Sequence, residues 1–260
     1  TVVDATRYYH FVPPPYHTLQ HYKVVALVLA GFALSLLTLG AIAWVKCRPR
    51  PLRIFLSYRV ATDVDVALAL YEHLTAAGHD VWWDKMCLPK GKNWEEGFAD
   101  GLFSSAIFVP IVSAPALAPF SSLAADSRCD NVFLEYRLAL ELQALGRVRR
   151  IVPVFVGARE PSEDNDHNQM FGEPSPTAMM PACEGSVVVA VVEAKVAEHL
   201  GRKQCDGPQR LLQEHGESAA SVAAVLSKLT SSQGELMSGT FDAAVERLVA
   251  TVAATVAQEQ

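Results

Sequence analysis

The 260-residue sequence lacks most of the signatures that announce a chemistry directly. It has no GxGxxG, so a dinucleotide fingerprint of the Rossmann kind is missing. It has no GxxxxGK[ST], which excludes that phosphate loop, and no GxSxG, which excludes the hydrolase nucleophile elbow. Its five cysteines, Cys47, Cys87, Cys129, Cys183 and Cys205, form no CxxC pair, and its eight histidines show no metal-ligand spacing with them. Zinc and haem sites are therefore not indicated, and free cytosolic thiols are expected. Excess positive charge is absent too. Lys and Arg total 22 against 28 Asp and Glu, a net charge of −6 with no strongly basic face. A nucleic-acid partner is not indicated.

Apolar residues are abundant, at 50% of the chain. Part of that excess is one run, Val24 to Val45, which extends 22 residues without a charge. As a helix it is long enough to cross a bilayer core of roughly 30 Å. A signal peptide is the rival, but its apolar core is usually about 7–15 residues, and no small-residue cleavage site is evident. Lys46, Arg48, Arg50 and Arg53 follow the run, whereas Lys23 alone closely precedes it. Basic flanks favour the cytoplasmic side, so residues beyond the span are expected in the cytosol. Tyr22 and Trp44 suit the two interfaces. Residues 1–23 are rich in proline and aromatics and read as an extended juxtamembrane arm. Thr1 rather than Met stands first, so a fragment or trimmed product of a longer chain is expected.

After the span, strand-like and helix-like runs alternate. Leu52–Leu56 is a short apolar run ending at Ser57-Tyr58-Arg59, and Asp63 is placed to cap a helix that Gly78 ends. His79–Trp83 is the next strand. A polar loop over 84–93 follows, and Asn93 caps a helix with Trp94, Phe98 and Leu102 facing inward. Ala106–Val112 is continuously apolar, as buried parallel strands are. Asp130 or Asn131 starts a helix with a stripe of Leu134, Leu138, Leu142 and Leu145, and Glu135 falls in its first turn. Ile151–Val156 is a fourth strand. The fifth is Glu235–Met237 or Val187–Val192, and Val187–Leu200 reads equally as strand or helix. Phe241, Val245, Leu248, Val252 and Val256 mark a last helix.

This alternation predicts an α/β fold: a flavodoxin-like parallel sheet with helices on both faces. Ligands bind such sheets outside the carboxyl ends of the strands. A receiver domain shares the architecture but needs acids at the first and third strand ends, where Ser57 and Ser113 stand here.

Residues 52–156 resemble a Toll/interleukin-1 receptor (TIR) domain. Phe55-Leu56-Ser57-Tyr58-Arg59 is similar to the family's box 1, and Val81-Trp82-Trp83-Asp84 to its second strand. The 84–93 stretch with Gly91-Lys92 is similar to the BB loop, and Asp130–Leu142 to the third helix. The resemblance implies other TIR domains as partners, with homo-oligomers expected, and a role in signalling. Some members act as non-enzymatic interaction modules; others cleave NAD⁺ to nicotinamide and ADP-ribose products. In the enzymes a glutamate near the start of the third helix is essential, and Glu135 falls at that position. Ser57, Tyr58 and Arg59 resemble the enzymes' nucleotide-contacting triplet, and Trp83, Lys92 and Trp94 complete the candidate substrate contacts. NAD⁺ is thus a candidate substrate, and no resident cofactor is implied. A carboxylate beside the ribose stabilises an oxocarbenium-like state. For Tyr58 and Trp83 two readings stand, stacking on a base or packing against helices. For Arg59 they are pairing with a phosphate or solvation.

The expected organisation is an arm over 1–23, a transmembrane helix over 24–45 and a TIR core over 51–157. A partly disordered insertion with helices follows over 158–235, and the last strand and helix over 236–260. Protease added to intact cells is expected to spare residues 51–260; digestion there overturns the cytosolic assignment.

Overall fold

The computed structural model describes residues 23–35, 52–88, 91, 93–160, 170–183, 186–205, 209–232 and 234–259. The chain divides into two units, Thr1–Arg50 and Pro51–Gln260. In the first, residues 23–35 form a helix whose apolar side chains are exposed, Leu27 at 73%. Among the described residues no helix is long and apolar enough to cross a membrane. Residues 1–22 and 36–45, the arm and the rest of the expected span, lie outside the described residues.

The second unit is built on a parallel sheet. Its elements in chain order are β1 (Arg53–Ser57), α1 (Val60–Ala76), β2 (Asp80–Trp82), α2 (Trp94–Phe103), β3 (Ile107–Ser113), α3 (Asn131–Ala144), β4 (Arg150–Ile151), β5 (Val154–Val156), α4 (Ala190–Arg202), α5 (Val222–Thr230), β6 (Glu235–Met237) and α6 (Phe241–Glu259). The strand order is β2-β1-β3-β5-β6, with β4 also paired to β3. This is the doubly wound order of flavodoxin-like sheets. The fourth strand is divided in two because Pro153 has no N–H to give the ladder.

Period-two alternation distributes the strand side chains between two cores. Ile54, Leu56, Val81, Trp83, Ile107, Val109, Val154 and Val156 face α1 and α6. Phe55, Trp82, Phe108, Ile151 and Phe155 face α2, α3, α4 and α5. On the second face the Trp82 indole stacks on Phe55, with centroids 4.5 Å apart. A Cβ built on Gly101 of α2 would lie 2.3 Å from that indole, so the close packing of helix on sheet requires glycine there.

Several local expectations shift. The Asp130 carboxylate accepts from the Phe133 N–H at 3.0 Å and caps α3, and Asn93 caps α2 through the Glu95 N–H. Gly78 ends α1 at φ +88°. Asp63, however, does not cap α1: the helix begins at Val60, and Asp63 is a non-helical kink inside it. Its buried carboxylate instead accepts from Thr62 Oγ1 at 2.8 Å and Ser113 Oγ at 3.0 Å. The fifth strand is Glu235–Met237, whereas Val187–Leu200 is helical from Ala190.

The apolar stripe of α3 understates its burial, since every residue from Val132 to Leu142 is buried. One side rests on the sheet, and α4, α5 and a short helix over Arg210–His215 cover the other. Arg137 is fully buried in that second interface. It donates to Glu141 at 2.9 Å, to both oxygens of Glu193 at 2.9 and 3.0 Å, and to Gln209 at 3.3 Å. The other Glu141 oxygen accepts the Leu211 N–H at 3.0 Å. Glu193 of α4 and the stretch over 209–211 are thereby fastened to the core through one guanidinium and its Glu141 partner.

Truncating one partner of a buried charge network typically costs about 3–5 kcal/mol, because the remaining charges lose their pairing. Arg137→Ala is expected to destabilise the fold by that order in urea unfolding, and a loss below about 1 kcal/mol would contradict the assignment.

Candidate functional site

The carboxyl ends of β1 and β2 and the start of α3 enclose a cavity of about 360 Å³. Its walls include Tyr58, Arg59, Trp82, Asp84, Trp94, Cys129, Asp130 and Glu135. Each wall residue is placed by a local rule. Ser57 ends β1, so the chain leaves the sheet at Tyr58 and Arg59. Trp82 faces the cavity because it shares a sheet face with Phe55, whereas Trp83 points the other way. Asp130 lies at the α3 entrance and Glu135 a turn further in.

Glu135 is 7% exposed. The Ser57 hydroxyl donates to its Oε2 at 2.6 Å, joining the first strand to the third helix. It lies just beyond the first turn, which contains no acid, so the helix N-terminus gives it less support than its expected position would. Burial dominates instead and pushes its pKa up to about 8, with Asp84 and Asp130 adding to the rise and Ser57 and Arg59 opposing it. In this state Glu135 mostly retains its proton at neutral pH.

Its neighbours are paired. The Tyr58 hydroxyl donates to Asp84 Oδ1 at 2.8 Å, and burial together with that carboxylate holds the phenol well above its ordinary pKa. Arg59 Nε donates to the Ala116 carbonyl at 2.7 Å, and Nη2 reaches both Asp130 oxygens at 3.2 and 3.0 Å. Its guanidinium also lies 5.3 Å from the Phe120 ring centroid. Arg59 is therefore neither a solvated charge nor free for a phosphate here. Burial pushes the Cys129 thiol up to about 11, which makes it a poor nucleophile.

The expected residues separate into three groups. Ser57, Tyr58, Arg59, Trp94 and Glu135 come together at the cavity. Trp83 does not line it: the indole is buried on the α1 face, with its ring centroid 5.2 Å from that of Tyr71. Lys92 lies outside the described residues. The sequence reading passed over Trp82 and Asp84. Strict alternation from Phe55 across the neighbouring strand was the available signal for Trp82, because adjacent tryptophans on a strand face opposite sides. Among the described residues no group of acids, histidines and cysteines is arranged to hold a metal ion.

The family model of the TIR domain matches residues 54–175, a span that contains every wall residue of the cavity. Among solved structures the chain is similar to the TIR domains of the activated Roq1 resistosome directly recognizing the pathogen effector XopQ. The identity is 15%, the match covers 79% of this chain and 99% of that one, and the TM-score is 0.46. A comparison with curated proteins finds no match.

Because the folded Glu135 pKa lies above its ordinary value of 4.5, the folded state binds the proton more tightly than the unfolded chain. The resulting stability is complete below about pH 4.5 and is lost as pH rises through about 8. Glu135→Gln keeps the neutral form at every pH. Thermal melts from pH 4.5 to 8.5 are expected to show a Tm advantage of the variant over the parent that grows with pH; a constant difference would mean Glu135 titrates normally.

Proposed function

We propose, from the match of residues 54–175 to the TIR-domain family model, that the protein acts in intracellular signal transduction by TIR–TIR association and cleaves NAD⁺ at the cavity around Glu135. The proposal includes a membrane anchor over residues 24–45, with the TIR domain on the cytoplasmic side. Its support is the uncharged run and the basic residues that follow it.

One observation carries the enzymatic reading. A carboxyl group with a raised pKa is held at the wall of a cavity at the carboxyl rim of the sheet, aimed by a hydroxyl at 2.6 Å. Groups perturbed in this way concentrate at functional clefts. In the reaction the C1′–N bond of the nicotinamide riboside breaks and the ring leaves with the electron pair. Water then adds to C1′ and gives up a proton. Glu135 gives up its proton to solvent as the cationic ring enters, because an opposite charge at short range favours the carboxylate. It then opposes the positive charge that develops on the ribose. Ser57 fixes the carboxylate's orientation, and Trp82 and Trp94 offer aromatic surface to the ring.

A second reading, a non-enzymatic interaction module, is favoured by the pairing of Arg59 with Asp130, which leaves the cavity without a ready phosphate contact. Clustering separates the two. The purified chain, concentrated on beads, is expected to release nicotinamide from NAD⁺, and Glu135→Ala to lower the rate by about a hundredfold or more. Folded, clustered protein that releases none would leave only the interaction module.

A further inference from the structure

The cavity around Glu135 has an electrostatic character that the proposed activity alone does not require. Three carboxyl groups line it, on Asp84, Asp130 and Glu135, against a single cation among the described wall residues, Arg59. That cation is committed, through Nη2 to Asp130 and through Nε to the Ala116 carbonyl. With Asp130 paired to Arg59 and Glu135 carrying its proton, the charge left among the described wall residues is that of Asp84. Its carboxylate accepts from the Tyr58 hydroxyl through Oδ1, one of about four acceptor positions on the group. Aromatic rings stand close by: Tyr58 is bonded to it, and Trp82 and Trp94 share the same wall. A carboxylate beside aromatic faces suits a flat organic cation and repels phosphate.

Size points the same way. A cavity of about 360 Å³ lies near the lower end of small-molecule sites, which run from about 300 to 1,000 Å³. It has room for a substituted pyridinium and its sugar rather than for a whole dinucleotide.

We infer that the cavity selects its ligand by the positive charge of a pyridinium ring, that Asp84 reads this charge, and that no phosphate is needed for binding inside the cavity. The inference rests on the NAD⁺-cleaving reading of the same site and names the part of the substrate that enters. Asp84 has two tasks in this arrangement. It anchors Tyr58 through the hydrogen bond at 2.8 Å, and it supplies the charge that discriminates an oxidised ring from its neutral dihydro or free amide form. Glu135, protonated until the cation arrives, adds a second negative charge only when the correct ring is seated.

The test measures binding and needs no turnover. Calorimetry with the purified full chain compares N1-methylnicotinamide, a permanent cation without sugar or phosphate, with neutral nicotinamide of nearly the same shape. The cation is expected to bind about tenfold more tightly at low salt, an advantage that shrinks as ionic strength rises. Asp84→Asn is expected to bring the two affinities together, and Asp84→Glu, which keeps the charge, to restore most of the difference. Circular dichroism confirms that each variant is folded. Equal affinities in the unaltered chain, no binding of either compound, or a preference that survives in a folded Asp84→Asn would each overturn the inference. Because the unaltered chain alone discriminates between the two compounds, a variant that does not fold leaves the inference falsifiable. Nicotinamide release from NAD⁺ on the same preparation reports on hydrolysis separately, so binding selectivity without release would sink only the enzymatic reading.

Discussion

The second unit depends on how α3 is held, and α3 is held by the buried guanidinium of Arg137. A helix buried on every side along most of its length has no polar face to fix its rotation. Apolar packing is non-directional and tolerates small slips. Arg137 removes that freedom, because its planar fork meets Glu141 on its own helix and both oxygens of Glu193 on α4. Glu141 in turn accepts a backbone N–H from the segment that follows α4. Arg137 and both Glu141 oxygens are hydrogen-bonded, which is what allows charged groups to sit where water does not reach.

That fixed rotation determines where Glu135 points. The two side chains are two residues apart on one helix, so they face widely different directions. With Arg137 locked toward α4, Glu135 is directed back to the ends of the strands, where Ser57 receives it. The same network that secures α4 therefore aims the candidate carboxyl group. A buried acid in this position costs stability as pH rises, and the structure tolerates it where a ligand would be expected to enter.

The polar groups of the cavity wall are paired with one another. Tyr58 is tied to Asp84 and Arg59 to Asp130, so groups that resemble nucleotide contacts are occupied by internal carboxylates.

The alternation of apolar runs and helical stripes was sufficient on its own for the parallel α/β class, the cap at Asn93, a helix start at Asp130 or Asn131, and the last helix. These are local properties: side-chain period, N–H groups awaiting an acceptor, and glycine at a left-handed position such as Gly78 are all written within a few residues. Glu135, Ser57, Tyr58 and Arg59 were also legible as candidates, through the resemblance of the segments that carry them. Long-range pairing was not legible. Nothing near Arg137 shows that Glu193, 56 residues away, will meet it, nor that Asp130 will take Arg59, 71 residues away. The short fifth strand at Glu235–Met237 is stabilised by its partner β5 rather than by its own composition. The choice between Trp82 and Trp83 belonged to the tertiary structure as well, because it depends on which sheet face α2 covers. The raised pKa of Glu135 is the clearest case. The sequence placed an acid near a helix start, but only the folded core that withholds water from it decided that it keeps its proton.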